Sequence, residues 1–318
     1  MFKEIELQER ELQEREEFRL ESIEIGITSK CNLSCEYCCA YGKDENTFLD
    51  AEQVISLIKE LSSLKRVKLS GGEVLLYYDE CLRIIEFCSS RGIYTQINSN
   101  GTLLNPIKIK CLKEKGLGTL HLSVNFDNCA EYREYYNQPE KSFYVLEKVI
   151  RASIQLGINV VVETIVFIHT IKRIKDLLRY ISALGVTQVE IQTGISVKKS
   201  EWTSSVKSAE ICQLIKDIYN EKPAEMSIYF SCLPDSVLKK INKKHYGQSK
   251  IYFPSCIDGK NQLHLHSNGD VLICELGYPQ VLGNIFEGLD LKSVMIDSYV
   301  ELKDFATSHK CAKFKTYK

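Results

Sequence analysis

The chain has 318 residues, 44% hydrophobic and 26% charged, and its 41 Lys and Arg nearly balance 42 Asp and Glu for a formal net charge of -1. That length suffices for one large domain with a small one attached. The balanced charge gives no basic field for nucleic acid, and no uninterrupted apolar run of about 18 residues offers a membrane span.

The start, Met1-Phe2-Lys3-Glu4-Ile5-Glu6, lacks the apolar core of a signal peptide, which assigns the chain to the cytoplasm. Thirteen cysteines in a reducing compartment argue for metal sites rather than a disulfide framework. Residues 1–20 are dense in Glu, Gln and Arg and read as a solvent-facing charged helix.

From Ser22 onward the pattern alternates. Short β-rich runs at 23–28, 67–69, 94–98, 119–124, 159–166 and 188–192 enclose helical patterns at 51–64, 79–90, 105–115, 142–156 and 171–183. Gly92, Gly116, Gly157 and Gly185 each close a helical run ahead of a strand, where a left-handed C-cap is expected. Asp50 with Gln53 is a capping-box arrangement that opens the first helix and leaves 38–50 as a true loop. Parallel strands joined by helical crossovers form either an open doubly wound sheet or a partial barrel. The local pattern leaves both open. In either, ligands bind at the C-terminal ends of the strands. Glu21 and Glu24 read as edge charges of the first strand, and His169 as a residue of the loop ahead of a helix.

Three cysteines stand at that end of the first strand, in Cys31-Asn32-Leu33-Ser34-Cys35-Glu36-Tyr37-Cys38. Three thiolates can hold three irons of a four-iron cube and leave the fourth iron open to a ligand. Zinc would require a fourth ligand, and Cys39, adjacent to Cys38, is awkwardly placed to be one. The second strand runs directly into Ser70-Gly71-Gly72-Glu73.

This C-x3-C-x-aromatic-C pattern, followed by Gly-Gly-Glu after the second strand, resembles the radical S-adenosylmethionine (SAM) enzymes. The resemblance implies an α/β fold, a (β/α)6 partial TIM barrel over residues 21–230, with Cys31, Cys35 and Cys38 holding a SAM-binding 4Fe–4S cluster. It implies reductive cleavage of SAM to a 5′-deoxyadenosyl radical that takes a hydrogen atom from the substrate. Tyr37 matches the aromatic that packs near adenine, and Gly71, Gly72 and Glu73 match the turn that meets the methionyl amino group. Asn98 and Asn100 at the third strand exit, and Ser123 and Asn125 at the fourth, match positions that hold ribose or the methionyl carboxylate. Gln192 and Thr193, after the sixth strand, are candidates for contact with adenosine or substrate.

Cys256 and Cys274 frame a C-x12-G-x4-C segment. Residues 263–266 alternate as a strand, Ser267-Asn268-Gly269-Asp270 is a hairpin turn and 271–273 return, bringing the two cysteines together. Gly283-Asn284-Ile285 follows, then a last cysteine, Cys311. Residues 231–318 resemble a shortened SPASM, or twitch, extension, a small C-terminal α+β domain with one auxiliary 4Fe–4S cluster on Cys256, Cys274 and Cys311. Later cysteines of the full extension are missing, so a second auxiliary cluster is not expected. Cys232 or a substrate atom completes the ligand set. Zinc on the same cysteines with His264, His266 or His309 is the rival.

Two 4Fe–4S clusters and SAM are therefore the expected cofactors, and an external one-electron reductant such as flavodoxin or ferredoxin the expected partner. The first reading of the substrate is a ribosomally made peptide, modified by oxidative cross-linking or dehydrogenation. Alternatives are peptide epimerisation with Cys232 as catalytic hydrogen donor, a small-molecule dehydrogenase or cyclase, and a non-enzymatic iron–sulfur electron carrier.

Overall fold

A computed structural model describes residues 20–35, 38, 46–193, 206–256, 258–274, 278–291 and 294. The expected charged helix at 1–20, Tyr37, Cys311 and His309 lie outside those residues, apart from Leu20.

One sheet of eleven strands organises the described residues. Strands β1 (Ser22–Thr28), β2 (Arg66–Gly71), β3 (Tyr94–Ser99), β4 (Thr119–Ser123), β5 (Asn159–Val166) and β6 (Gln188–Thr193) lie side by side and parallel, each in the place expected. Helices α1 (Ala51–Glu60), α2 (Tyr78–Ser90), α3 (Pro106–Glu114), α4 (Cys129–Tyr136), α5 (Glu140–Gln155) and α6 (Ile174–Ala183) form the crossovers. Helix α4 was not foreseen. Nor were α7 (Ser208–Glu221) and the parallel strands β7 (Ser227–Ser231) and β8 (Ile251–Tyr252), which extend the sheet beyond β6. Two short helices, α8 (Asp235–Leu238) and α9 (Lys243–Gly247), lie between β7 and β8.

The local devices act as the residues dictate. Gln53 N–H donates to Asp50 Oδ1 at 2.8 Å while Asp50 N–H donates to Gln53 Oε1 at 2.9 Å, closing the capping box. Gly92, Gly116, Gly157 and Gly185 end their helices at positive φ.

Each strand divides its faces. Ile23, Ile25 and Ile27, Val67 and Leu69, and Val189 and Ile191 are fully buried in the apolar core. The alternate positions, Glu24, Lys68, Gln96, His121, Glu163 and Glu190, line a common cavity instead. The parallel sheet therefore encloses a polar lumen on its inner face, the architecture of a partial barrel.

The chain's last third closes onto the opposite edge. Strand β9 (Gln262–Leu265) pairs parallel with β1, from Ser22 opposite Gln262 to Ile25 opposite Leu265. Ser22 Oγ adds a hydrogen bond to Gln262 Oε1 at 2.9 Å. β10 (Asp270–Cys274) and β11 (Tyr278–Asn284) follow antiparallel, so the expected hairpin is present and forms a continuation of the main sheet. The expected boundary at 230/231 falls at the end of β7, and the sheet runs on across it.

Candidate active site

The loop after β1 carries Cys31, Cys35 and Cys38, and its base is fixed by backbone contacts. Ser29 N–H donates to Thr47 O at 3.2 Å, Thr47 N–H donates to Ser29 Oγ at 3.0 Å, and Thr28 bridges Phe48. The exit of β2 lies flat on this base. Gly72 N–H donates to Thr28 O and Glu73 N–H to Lys30 O, both at 2.7 Å. Gly71 has φ +133°, and a Cβ on it would meet Thr28 O at 2.4 Å. A Cβ on Gly72 would meet Lys30 O at 2.0 Å. The two glycines thus let one strand exit rest on the other, immediately before Cys31.

Glu73 is buried, and both its oxygens are held. Oε1 accepts from Ser99 Oγ at 2.8 Å and Leu75 N–H at 3.0 Å, and Oε2 accepts from Asn100 N–H at 2.9 Å. Burial pushes its carboxyl above the ordinary range, and these hydrogen bonds oppose the rise. Asn100 Nδ2 donates to Asn32 Oδ1 at 2.9 Å, tying the third strand exit to the cysteine loop.

The three cysteines, Gly71, Gly72, Glu73, Asn98, Asn100, Ser123, Gln192, Cys232, Cys256 and Cys274 all open on one cavity of about 600 Å³. Sequence reasoning assembles most of that set. Asn125 stands apart. Its Nδ2 donates to Tyr136 OH at 2.8 Å, its Oδ1 accepts from Ile165 N–H at 2.9 Å, and it lines a smaller cavity with Asp127, Glu131, His169 and Arg173. Thr193 is buried, with its hydroxyl donating to Cys232 O. Glu24, expected at the sheet edge, faces the central cavity; Glu21 is the edge charge, paired with Lys65. Glu163, Glu190, His121, Lys68, Tyr132 and Tyr136 are wall residues that sequence reasoning missed. The signal was available as charge at alternating positions of otherwise apolar strands.

The cysteine loop suits an iron–sulfur cluster. None of its described thiols is in a disulfide. Desolvation within the loop pushes the Cys31 thiol up, the Leu33 N–H counters this, and neighbouring Glu73 and Cys38 add to it. Burial thus disfavours the Cys31 thiolate, a penalty that cationic iron would relieve. Leu33 N–H already donates to Cys31 Sγ at 3.4 Å. Among the described residues no three His, Cys, Asp or Glu side chains converge on a single metal ion.

On the same wall, Cys256 is exposed and Cys274 buried at the end of β10. Asp258 lies between them in sequence and is half-buried. Its desolvation is outweighed by His264, whose Nε2 is 3.1 Å from Asp258 Oδ1, and by the Cys274 thiol, so its carboxyl is held below the ordinary range. Cys232 has φ +59°, an uncommon left-handed conformation for a residue with a Cβ. Gln192 Nε2 donates toward its sulfur at 3.7 Å.

The family model of the radical SAM superfamily matches residues 25–181. A GTP 3′,8-cyclase of Aquifex aeolicus (strain VF5) is 28% identical over 272 residues, 80% of this chain and 82% of that protein. The putative protein YfkA of Bacillus subtilis (strain 168) is 23% identical over 299 residues, 85% and 78% of the two chains. Among solved structures, Streptococcus suis SuiB bound to precursor peptide SuiA superposes with a TM-score of 0.74, over 96% of this chain and 73% of that one, at 16% identity. Native anSMEcpe with bound AdoMet gives a TM-score of 0.61 over 93% and 82%, at 16% identity. These structural likenesses show the fold.

Proposed function

We propose that this chain, which carries a radical SAM domain in residues 25–181, is an enzyme that modifies a ribosomally made peptide by a net oxidation, cross-linking or dehydrogenation. Cys31, Cys35 and Cys38 would hold the SAM-binding cluster, with Gly71, Gly72 and Glu73 beside the methionyl amino group and Asn98, Asn100, Ser123 and Gln192 toward the rest of SAM. When bound, the cluster and SAM together supply a 5′-deoxyadenosyl radical that takes a hydrogen atom from the substrate. Cys256 and Cys274 would hold one auxiliary cluster, with Cys311 as a third ligand.

One observation carries this reading. The two cysteine groups, from opposite ends of the sequence, open on a single cavity of about 600 Å³. A substrate there would lie between a source of radical and an acceptor for the electron that a net oxidation releases. The fold shared with SuiB bound to its precursor peptide supports a peptide as that substrate.

The likeness to GTP 3′,8-cyclase favours a second reading, cyclisation of a nucleotide. The wall opposes it, since Glu24, Glu73, Glu163, Glu190 and Asp258 outnumber Arg66 and Lys68 around the cavity. A triphosphate in that surface would meet like charge.

Anaerobically reconstituted protein, reduced in the presence of SAM and a candidate precursor peptide, is the test. Oxidation predicts 5′-deoxyadenosine and a peptide that has lost two hydrogens. A peptide of unchanged mass in ordinary water that is one mass unit heavier after reaction in heavy water would mark epimerisation instead. No 5′-deoxyadenosine under any of these conditions would overturn the enzyme itself. Cys232→Ala separates that residue's two roles: loss of auxiliary iron marks a ligand, and intact iron with failed epimerisation marks the hydrogen donor.

A further inference from the structure

Helix α4, between β4 and β5, turns two tyrosines onto the wall of the central cavity. They differ in one respect. Tyr136 OH accepts from Asn125 Nδ2 at 2.8 Å. Tyr132 is 4% exposed, and its hydroxyl has no hydrogen-bond partner among the described residues. Its ring is fixed between Tyr136, at 4.9 Å and 58°, and Phe143, at 5.6 Å and 65°. The hydroxyl is therefore not free to swing toward solvent. A phenylalanine would pack between the same rings without burying an unpaired donor, so the hydroxyl calls for an acceptor that arrives with a ligand.

The position of that acceptor is bounded by the cavity. Tyr132 shares the wall with Cys31, Cys35 and Cys38. The group expected on those thiolates is rich in sulfur acceptors and anionic overall. We propose that Tyr132 is a positioning residue whose phenolic O–H donates a hydrogen bond to a sulfur of the cluster held by Cys31, Cys35 and Cys38, and so raises the potential at which that cluster accepts an electron. The inference rests on the radical SAM reading of the cysteine loop. Hydrogen bonds to the sulfurs are among the factors that set such potentials, because they stabilise the more negative, reduced state.

The test is a redox titration of the full-length reconstituted protein without SAM, comparing wild type with Tyr132→Phe and Tyr136→Phe. Tyr132→Phe is expected to retain iron and unfolding midpoint. At a fixed potential its ratio of reduced to oxidised cluster should fall about tenfold, a shift of about 59 mV for one electron. Tyr136→Phe, whose hydroxyl is already engaged by Asn125, should leave the potential where it was. An unmoved midpoint in a fully loaded Tyr132→Phe protein would overturn the proposal, as would an equal shift in both variants, which would mark repacking of α4. An unmoved midpoint with weakened SAM binding would also overturn it, since the phenol would then serve SAM. Wild-type protein that takes up no iron, or iron uptake indifferent to Cys31→Ala, would instead sink the radical SAM reading, so the two failures are distinguishable.

Discussion

At the scale of single residues, Gly72 is the most constrained position in the site. An added Cβ would stand 2.0 Å from the Lys30 carbonyl oxygen and 2.4 Å from its carbon, and backbone cannot step aside as a flexible side chain would. Gly72→Ala must therefore push the cysteine loop off the β2 exit, at a cost of about 1–3 kcal/mol for the overpacking. Thermal unfolding and iron content per chain check it together; a variant with wild-type values of both would show that the β2 exit does not set the loop. Glu190 offers a second prediction. It stands opposite Glu163 across β5 and β6, and burial, then the charge of Glu163, pushes its carboxyl above the ordinary range. A raised folded-state pKa means that the protonated form favours folding. Its stabilising contribution is present below the unfolded value and is lost as pH rises through the folded one. Glu190→Gln should thus match wild type near the unfolded carboxylate pKa, about 4.3, and unfold at a higher temperature than wild type above the raised value. Unfolding midpoints measured across that range would refute this if the two proteins stayed parallel.

At the scale of elements, the β9–β10 hairpin depends on a residue beyond it. Asn284 Nδ2 donates to Asn268 O at 3.0 Å and to Asp270 Oδ1 at 2.9 Å, and its Oδ1 accepts from Phe286 N–H at 2.8 Å. The Gly-Asn-Ile run at the end of β11 therefore fastens the turn that positions Cys274. Asn284→Ala removes all three bonds, at about 0.5–1.5 kcal/mol each. Hydrogen exchange should quicken through residues 270–284 and stay unchanged in β1–β6; uniform change across the sheet would contradict a local role. The turn was legible, because Ser-Asn-Gly-Asp dictates it locally. The pairing of β9 with β1 was not, because Ser22 and Gln262 meet across 240 residues and no local pattern encodes that distance. Helix α4 is a different kind of miss. Asn128 Oδ1 accepts from Glu131 N–H at 2.9 Å, an N-cap that the sequence displays as Asn followed three residues later by Glu. The aromatic and charged run behind it has no clean apolar stripe, so the cap stands without the periodicity that marks a helix.

At the scale of the whole molecule, the choice between an open sheet and a barrel lay in the strands' alternation. A doubly wound parallel sheet is covered on both faces and its strands read as continuous apolar runs. Here Glu24, Lys68, Glu163 and Glu190 each interrupt an otherwise largely apolar strand on the face that lines the cavity, which a polar lumen accommodates. The same lumen decides what the molecule takes in. A ligand that binds the folded protein alone stabilises it by mass action, about 2.7 kcal/mol at a hundredfold excess over its dissociation constant. SAM should therefore raise the unfolding midpoint of the reconstituted chain by several degrees, at roughly 2–4 °C per kcal/mol for a domain of this order of size. A protein with Ala at Cys31, Cys35 and Cys38 should show no such rise, because the chelating iron is gone while the lumen is intact. GTP, repelled by the acidic wall, should leave the midpoint unmoved with or without SAM. A GTP shift as large as that of SAM would transfer the assignment to nucleotide cyclisation, and a SAM shift that survives loss of all three cysteines would detach SAM binding from the cluster loop.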